Sequence, residues 1–328
     1  MKRSKAFSVG KVLLLLAAIF LTWGEQGHSQ PKYPTKPIDI IVPFKPAGGT
    51  DSVIRVIAPF LNKKWGVPVN VVNKPGGNTL PGSVEVFDSS PNGYTLLADC
   101  NASSSMLGVV IKNIPFSILD RTFLGIVANG PLALMVNANS PYKTLEDVKA
   151  EARRDPDNFT WVSLGGVSGP DFIARQFFKA IGVDVSKTKP VMGTGGTDVQ
   201  TLVAGGHVKF GGTNIISAKA AIQGGLVRVL GIARTRDPDF PNIPTFAELG
   251  YPSINHVWWV GFSGPAKTPS SIVDVWDKAL KEILKDPEYI SRLKGIGFYP
   301  FYQDSSGMKE SIRKETEEVA ELYGMQKK

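Results

Sequence analysis

Residues 38–51 read IDIIVPFKPAGGTD, and this stretch decides the fold class. Its first part, Ile38–Val42, is almost entirely apolar and predicts a short buried strand. Residues 48–51 then form a glycine-rich turn that leads into a helical pattern at 52–65. A strand, a glycine-rich turn and a helix in this order are typical of open α/β sheets, which bind ligands at the carboxyl ends of their strands. The stretch therefore predicts an α/β fold with a binding loop after its first strand.

The same kind of turn occurs at two other places in the chain. Residues 195–198 repeat the letters GGTD after a β-type run at 190–192, and residues 165–171 read GGVSGPD between a predicted strand and a predicted helix. Glycine lets backbone amides approach a ligand closely, and the free N–H groups of a helix start favour negative charge. Three such turns predict a binding site for an anion.

An ordinary capped helix start is the alternative interpretation of each turn. Aspartate at a helix N-terminus commonly accepts hydrogen bonds from the free amides of the first turn. A carboxylate side chain would also repel a bound carboxylate. We therefore assign capping, or contact with a donor group of the ligand, to Asp51, Asp171 and Asp198.

Short apolar runs alternate with helical patterns along the rest of the chain. The predicted strands cover residues 38–42, 69–73, 95–98, 160–163, 207–210 and 227–233. The predicted helices cover residues 52–65, 145–154, 172–181, 272–284 and 308–323, with a capping pair at Thr144 and Asp147. The strands are apolar throughout rather than alternating, which is typical of sheets covered by helices on both faces.

The N-terminus predicts export. A basic start leads into an apolar run at residues 12–21 and then a polar stretch with small residues, which is the layout of a secretory signal peptide. The run has about half of the ~20 apolar residues that span a bilayer. We predict that residues 1–29 are a signal peptide, cleaved after Ser29 or alternatively after Gly24, and that the mature chain is periplasmic.

The mature length and charge set bounds on the architecture and the ligand. About 300 residues exceed what one hydrophobic core usually serves, so we predict two domains. Without residues 1–29 the chain has 33 Lys+Arg and 28 Asp+Glu, a balance that suits an anionic ligand, and no basic run is dense enough for nucleic acid. Two β-like crossings, near 132–137 and 257–263, predict hinges between a discontinuous first domain, 30–132 plus 259–328, and an inserted second domain, 133–258.

Residues for enzymatic chemistry are scarce. Cys100 is the single cysteine, so no internal disulfide forms, and we predict that it is a small buried residue. Only His207 and His256 follow the signal peptide, which disfavours a histidine metal site or a Ser/His triad. The phosphate-loop, dinucleotide and nucleophile-elbow motifs are also missing. We predict no metal, no cofactor and no enzymatic activity.

A series of short motifs resembles one family of solute receptors. In chain order these are YPTKPI at 33–38, IVPF at 41–44, NKPGG at 73–77, PNGYTLL at 91–97, GGHV at 205–208, PTFAELG at 244–250, WVG at 259–261 and PAKTP at 265–269. With these motifs the mature chain resembles the tricarboxylate-transporter substrate-binding proteins, also called the Bug family, over almost its whole length.

The resemblance implies a two-domain Venus-flytrap fold of the type II periplasmic-binding kind, with the ligand cleft between the domains. It implies a monomeric solute-binding protein that captures a small carboxylate, namely a dicarboxylate, a tricarboxylate or an aromatic acid. The protein would deliver this ligand to a membrane transporter with large and small integral subunits. A ligand-sensing module that docks on a membrane receptor is the alternative. An enzyme on the same fold is a third reading, which the scarcity of histidine and cysteine disfavours.

The resemblance also implies which residues hold the ligand, mainly through backbone amides, hydroxyls and ordered water. These are Phe44, Ala47, Gly48, Gly49, Thr50, Asp51, Asn101, Ser103, Ser163, Gly165, Gly166, Ser168, Gly193, Thr194, Gly195, Gly196, Thr197 and Asn214. Trp259 matches a family position near the second hinge and Trp258 is an additional ring, with core packing as the alternative for both. Lys45 replaces a small residue of the family and is assigned to a second carboxylate, with a solvated surface role as the alternative. Lys209 and Thr213 stand where the family often has acids, so the ligand of a relative is not transferred.

Overall fold

The computed structural model describes residues 33–193, 196–215 and 217–324, except for the side chain of residue 197. The predicted signal peptide and two predicted site residues, Thr194 and Gly195, lie outside the described residues. The elements discussed below belong to one unit, Lys36–Lys328, whose residues contact one another extensively. No helix of the described part is long and apolar enough to cross a membrane.

Strands and helices alternate along the described chain, as the sequence predicts. The strands are β1 (Ile38–Val42), β2 (Val69–Asn73), β3 (Thr95–Cys100), β4 (Thr122–Asn137), β5 (Thr160–Ser163), β6 (Lys189–Met192), β7 (Gly211–Asn214), β8 (Val227–Ile232), β9 (Val257–Gly264) and β10 (Tyr299–Gln303). The helices are α1 (Gly49–Trp65), α2 (Leu80–Phe87), α3 (Ser105–Val110), α4 (Leu145–Arg154), α5 (Gly169–Ala180), α6 (Gly196–Ala204), α7 (Lys219–Gln223), α8 (Ser270–Ile283), α9 (Pro287–Gly295) and α10 (Ser305–Leu322).

Most strands belong to one mixed sheet. The order is β10-β4-β9-β3-β1-β2, and β7 and β8 also pair with β4. Strand β1 is parallel to both of its neighbours, with Ile40 opposite Val71 of β2 and Leu96 of β3. Strands β9 and β10 run antiparallel to β4, whereas β5 and β6 form a separate parallel pair. The first strand is buried along its length except at Asp39, in agreement with its continuous apolar pattern.

One long strand, β4, connects two groups of strands. Its first part, from Thr122 to Pro131, pairs with β9. Its last part, from Leu132 to Asn137, pairs with β7 and β8. The strand therefore changes partners where the sequence places the first crossing. Because β4 is 16 residues long, it pairs with both groups of strands without interruption.

The ends of two helices show how local sequence sets an element. Helix α1 ends at Gly66, whose left-handed φ of 69° suits glycine and lets its N–H donate to Asn62 O. Helix α4 begins with the predicted capping box. Its Thr144 hydroxyl accepts from the Asp147 amide, and the Asp147 carboxylate accepts from the Thr144 amide. These contacts satisfy terminal backbone groups that have no partner inside the helix.

One predicted strand, at 207–210, is wrong, because the strand forms at Gly211–Asn214. Glycine has a weak preference for strands, so the sequence pattern favours the apolar residues before it. Close packing explains the glycine at 212, where a Cβ would lie 2.3 Å from Pro170 O of α5. The other predicted strands and helices are confirmed, with ends shifted by up to three residues.

A buried ion pair links β3 to the chain just before β4. Asp99 lies 3.0 Å from Arg121, and both side chains are almost fully buried. The Asp99 carboxylate also accepts hydrogen bonds from the hydroxyls of Ser103, Ser104 and Ser263. A buried charge is tolerated when it is paired and hydrogen-bonded in this way.

We expect Asp99→Asn to destabilise the protein strongly, because Arg121 would keep a buried charge without its partner. The free energy of unfolding should fall by about 3–5 kcal/mol, as measured by urea denaturation at neutral pH. The exposed pair of Arg313 and Glu310 gives the control, and Arg313→Met should change the urea midpoint far less. Equal effects of the two variants would contradict a special role for the buried pair.

Candidate functional site

The first loop is held by the side chain of Asp51, the third residue of α1, which is fully buried. Its Oδ2 accepts hydrogen bonds from Ala47 N at 2.9 Å and from Arg55 Nε at 2.8 Å. Its Oδ1 accepts from Asn73 Nδ2 at 2.7 Å. The same Asn73 amide donates to Phe44 O at 3.1 Å. The carboxylate therefore fixes both ends of the turn between β1 and α1.

The same contacts determine the charge of Asp51. Burial alone would raise the pKa of its carboxyl, but hydrogen bonds from Arg55, Asn73 and the Ala47 amide bring that pKa below its usual value. Asp51 is therefore ionised at neutral pH, and its charge is paired with Arg55. The loop presents its amides without presenting this carboxylate.

The second loop follows the same plan around Asp171, the third residue of α5. The buried Asp171 carboxylate accepts hydrogen bonds from the hydroxyls of Ser163 and Ser168 and from Leu164 N, the last at 2.7 Å. Residues 165–166 both have a φ of 88°, a left-handed conformation that favours glycine. Asp171 thus holds together the two ends of the turn, and the backbone of residues 165–166 between them is unstrained only for glycine.

The third loop lies beside the second. Gly193 N donates to Ser163 O at 2.9 Å, and α6 begins at Gly196. A Cβ on Gly193 would lie 3.0 Å from Leu164 and 3.2 Å from Asp198, so the backbone there is closely packed. Asp198 is the third residue of this helix, the same position as the aspartates of the other two loops.

Trp258 connects the first and second loops. Its indole Nε1 donates to Thr50 Oγ1 at 3.2 Å, and its ring meets the Phe44 ring edge to face with centroids 6.3 Å apart. A Cβ added to Gly169 would lie 2.8 Å from the same indole. The first turns of α1 and α5 therefore lie against one tryptophan ring.

Phe298 forms a second connection between the predicted site residues. Its ring would lie 3.2 Å from a Cβ on Gly49 and 3.0 Å from a Cβ on Gly130 of β4. The side-chain amide of Asn214, at the end of β7, lies next to the same Gly130. The structure thus brings Gly49 and Asn214 to one region around this ring.

Tyr323, just after α10, contacts the second loop. Its hydroxyl donates to Gly166 O, and its ring packs in one apolar cluster with Val167. The guanidinium of Arg175 lies over the Tyr323 ring, 4.4 Å from the centroid. Because α10 packs on β4 and α3, this tyrosine ties the second loop to the group of strands that carries the first loop.

Three predicted site residues lie in buried polar networks away from these rings. Ser103 belongs to the buried ion-pair network before β4. Asn101 accepts a hydrogen bond from Trp259 N at 2.9 Å and donates to the carboxylate of Glu315. Trp259 donates its Nε1 to the same carboxylate at 2.9 Å. Successive side chains of a strand point to opposite faces, so Trp258 faces the loops while Trp259 faces the core.

Several other predicted site residues are exposed at the loops. These are Lys45, Ala47, Gly49, Gly165 and Gly196. The first two loops are held by the buried aspartates and rings described above. An exposed backbone on a rigid support is suited to contact a ligand.

Sequence reasoning missed Phe298 and Tyr323. The contact of Tyr323 with Gly166 spans 157 residues, and neither aromatic belongs to a motif. The only local signal is that each aromatic closely follows the end of a helix, α9 or α10.

A buried histidine and carboxylate lie near the start of β9. His256 Nδ1 is 3.2 Å from Glu315 Oε1, and His256 Nε2 is 3.3 Å from Asn101 Nδ2. Because the carboxylate accepts and the amide donates, His256 carries its proton on Nδ1. Burial, with the nearby charge of Arg234, lowers the pKa of His256 to about 3. Burial raises the pKa of Glu315 to about 6, although three hydrogen-bond donors oppose this shift.

The chemistry offered by the site is hydrogen bonding and ring contact. Among the described residues, no group of three or more His, Cys, Asp or Glu side chains could hold a metal ion. Cys100 is buried, and burial raises the pKa of its thiol to about 12, so the thiol is protonated at neutral pH. The polar and aromatic groups of the loops are backbone amides, hydroxyls and aromatic rings.

The profile of the family described as "Tripartite tricarboxylate transporter family receptor" matches residues 53–323. The chain belongs to this receptor family. The resemblance seen in the short motifs is therefore confirmed. Protein BugT of Bordetella pertussis is similar to this receptor, with 28% identity over 293 residues that cover 87% of this chain and 89% of BugT.

Two solved structures share the fold of this receptor. "Structure of a periplasmic transporter" aligns with a TM-score of 0.78 and 27% identity, covering 89% of this chain and 97% of that chain. R. palustris Rpa4515 with adipate aligns with a TM-score of 0.78 and 24% identity, covering 89% of this chain and 98% of that chain. The α/β fold of periplasmic binding proteins, predicted from the sequence, is confirmed.

We expect His256 of this receptor to stay neutral down to about pH 4, roughly one unit above its pKa. The unfolded chain binds a proton here below about pH 6.5, so stability that is fully present above that pH is lost as the pH falls toward the folded pKa. Nitrogen-15 NMR between pH 7 and 8, where Glu315 is ionised, should show the Nδ1–H tautomer, the imidazole should stay neutral down to about pH 4, and His256→Gln should remove and thereby assign the signal. An imidazolium signal at pH 5 would contradict this assignment.

Proposed function

We propose that this receptor binds a small carboxylate at the three loops and delivers it to a tripartite membrane transporter. One observation carries the proposal, namely that the carboxylates of Asp51 and Asp171 are bonded within their own loops. Both carboxylates are buried and hydrogen-bonded, and the charge of Asp51 is also paired with Arg55, so their repulsion of an anionic ligand is reduced. Such a ligand meets the starts of α1, α5 and α6, where unpaired amides and the helix dipole favour negative charge.

The class of ligand is a dicarboxylate, a tricarboxylate or an aromatic acid. The family description refers to tricarboxylate transport, and Rpa4515, which shares the fold, holds adipate, a dicarboxylate. Three separate helix starts supply three sets of donors, which suits a ligand with a carboxylate at more than one end. The rings of Phe44, Trp258 and Phe298 would cover its carbon skeleton.

The proposed site keeps most of the residues that the sequence suggests. It consists of Phe44, Ala47, Gly48, Gly49, Thr50, residues 163–168, residues 193–197, Asn214, Trp258 and Phe298. Trp258 takes the place of Trp259, because only the former contacts Thr50. We assign Asn101 and Ser103 to the scaffold, since their side chains are bonded to buried carboxylates.

We propose the two-domain division given by the sequence, with residues 30–132 plus 259–328 against residues 133–258. The change of partners along β4 at Leu132 supports the first hinge, near 132–137. The second hinge, near 257–263, coincides with β9. Trp258 lies in this strand and contacts both α1 and α5, so closure around a ligand would move this ring with the hinge.

We further propose that the receptor works in the periplasm as a monomer, docks on large and small integral membrane subunits, and catalyses no reaction. The structural match to a periplasmic transporter supports the location. Two reactive side chains, Cys100 and His256, are buried, and His256 is occupied by Glu315, whereas His207 is exposed. Neither is placed to reach a substrate at the loops.

We expect the mature chain to melt at a higher temperature when its carboxylate is added, and Gly196→Val to abolish that increase. A ligand that binds only the native state adds RT ln(1 + [L]/Kd), about 2.7 kcal/mol at a hundredfold excess over Kd. A thermal-shift screen of mono-, di- and tricarboxylates and aromatic acids measures this gain. A Cβ on Gly196 meets no atom within 4 Å, so the new side chain obstructs the ligand rather than the fold.

Gly295→Val is the matched control, because this helical glycine also has open space around a Cβ and lies at the end of α9. It should keep the full ligand shift. Gly49→Val is a less specific test, since its side chain would also press on Phe298. Failure of every carboxylate to stabilise the wild-type chain would overturn the proposed function.

We expect Lys45→Ala to weaken dicarboxylate binding selectively if the ammonium group meets a second carboxylate. Lys45 is exposed beside the first loop. A charge-assisted contact in a partly closed cleft contributes ~1.5–3 kcal/mol, or roughly ten- to a hundredfold in affinity. The variant would be titrated with a matched dicarboxylate and monocarboxylate at low and high salt.

Lys112→Ala is the control for this test, because it removes the same charge from another exposed position. It should weaken both ligands slightly, and salt should erase the loss, since exposed charges are screened beyond ~8–10 Å. If Lys45→Ala shows the same small, salt-sensitive loss of affinity, Lys45 is a solvated surface residue and does not contact a second carboxylate.

A further inference from the structure

We infer that the receptor has a second binding site, for a small planar carboxylate, in a cavity beside Tyr323. The cavity has a volume of about 600 Å³ and is bordered by α5, the segment 183–190 and the end of α10. This volume lies within the range of small-molecule sites. None of its lining residues belongs to the proposed cleft, although Tyr323 also contacts Gly166 of the second loop, so the two sites are distinct but adjacent.

Arg175 is the residue around which this site is built. Its guanidinium lies over the Tyr323 ring at 4.4 Å and near the Trp161 ring at 5.7 Å, measured to the centroids. Its Nε is buried and has no hydrogen-bond partner among the described residues. Buried N–H groups are nearly always hydrogen-bonded in native proteins, so the described residues leave donor capacity of this guanidinium unused.

The remaining charges at the cavity are already engaged. Lys179 pairs with Glu321 at 2.7 Å, and the Glu321 side chain is 71% exposed. Asp184, also exposed, accepts hydrogen bonds from the amide and the hydroxyl of Ser186. Water and salt therefore screen the repulsion that these carboxylates exert on an anion. Arg175 is left as the cation that an anionic ligand would meet inside the cavity.

The shape and lining of the cavity favour a carboxylate with a flat apolar body. A guanidinium binds a carboxylate through two parallel hydrogen bonds, which a compact ammonium group does not reproduce. Trp161, Phe178 and Tyr323 line the same cavity, and Tyr323 is the most exposed of the three rings. A small aromatic acid satisfies both features, with its charge on Arg175 and its ring against the aromatic side of the cavity at Tyr323.

Benzoate is the probe for this site, and its uncharged counterpart benzamide is the control ligand. The Nε–Hε signal of Arg175 would be followed by nitrogen-15 NMR in the mature chain and assigned by its loss in Arg175→Lys. We expect a saturable shift with benzoate and none with benzamide. A response that stays linear up to about 10 mM benzoate, roughly tenfold above a millimolar Kd, would overturn the proposal.

Variants separate this site from general charge effects and from the cleft. Arg175→Met should abolish the benzoate response of the neighbouring Tyr323 and Gly324 amides, and Arg175→Lys should weaken it about tenfold or more. Arg154→Met, which removes an equal charge from an exposed position, should leave the response unchanged. Gly196→Val should also leave it unchanged, so a failure of cleft binding is distinguished from a failure here. Persistence of the response in Arg175→Met would refute the site.

Discussion

The proposed site depends on two aspartates in the first turns of helices. Each accepts a hydrogen bond from the loop that precedes its helix. Glycine-rich loops lose much conformational freedom when they become ordered, so some contact has to hold them. Asp51 and Asp171 do this from inside, by accepting hydrogen bonds from the loops that precede their helices. Charge-assisted bonds of this kind are stronger than neutral ones, which suits a carboxylate that is fully buried. The loops are thereby held rigid, and in the proposed site the remaining amides at the helix starts would contact the ligand.

The backbone of β4 places these loops relative to one another. One strand pairs with β9 before Leu132 and with β7 and β8 after it, so both groups of strands share a single backbone. Trp258 follows from the same arrangement, because β9 runs beside the first part of β4 and presents this ring to α1 and α5. A change in the angle between the groups would therefore alter the contacts of Trp258 directly.

Local sequence patterns predicted much of the fold. The features that they failed to predict depend on packing between distant parts of the chain. The strand Ile38–Val42 and the three helix starts follow from apolar runs and glycine turns, which are local. The β7 strand was misplaced because its glycines are required by the approach of other elements, namely α6 at Gly211 and α5 at Gly212. A motif match favoured Trp259, yet a shift of one residue along a strand moves a side chain to the other face. The polar residues after β3 were expected at the cleft, but distant carboxylates such as Glu315 bind them, and sequence gives no sign of which acids become buried.

The first two loops are followed by the same spacing of aspartate and arginine, but among the described residues the two charges form an ion pair only in the first. Each has an aspartate followed four residues later by an arginine, Asp51 with Arg55 and Asp171 with Arg175. Asp51 receives no hydroxyl bond among the described contacts and pairs with its arginine at 2.8 Å. Asp171 is bonded by two serine hydroxyls and an amide, which satisfy the carboxylate without its arginine. The second arginine is thereby released to lie over Tyr323, where its charge faces a cavity rather than a loop. The same spacing thus gives a closed ion pair at Asp51, whereas Asp171 is bonded by serine hydroxyls and its arginine lies over a tyrosine ring.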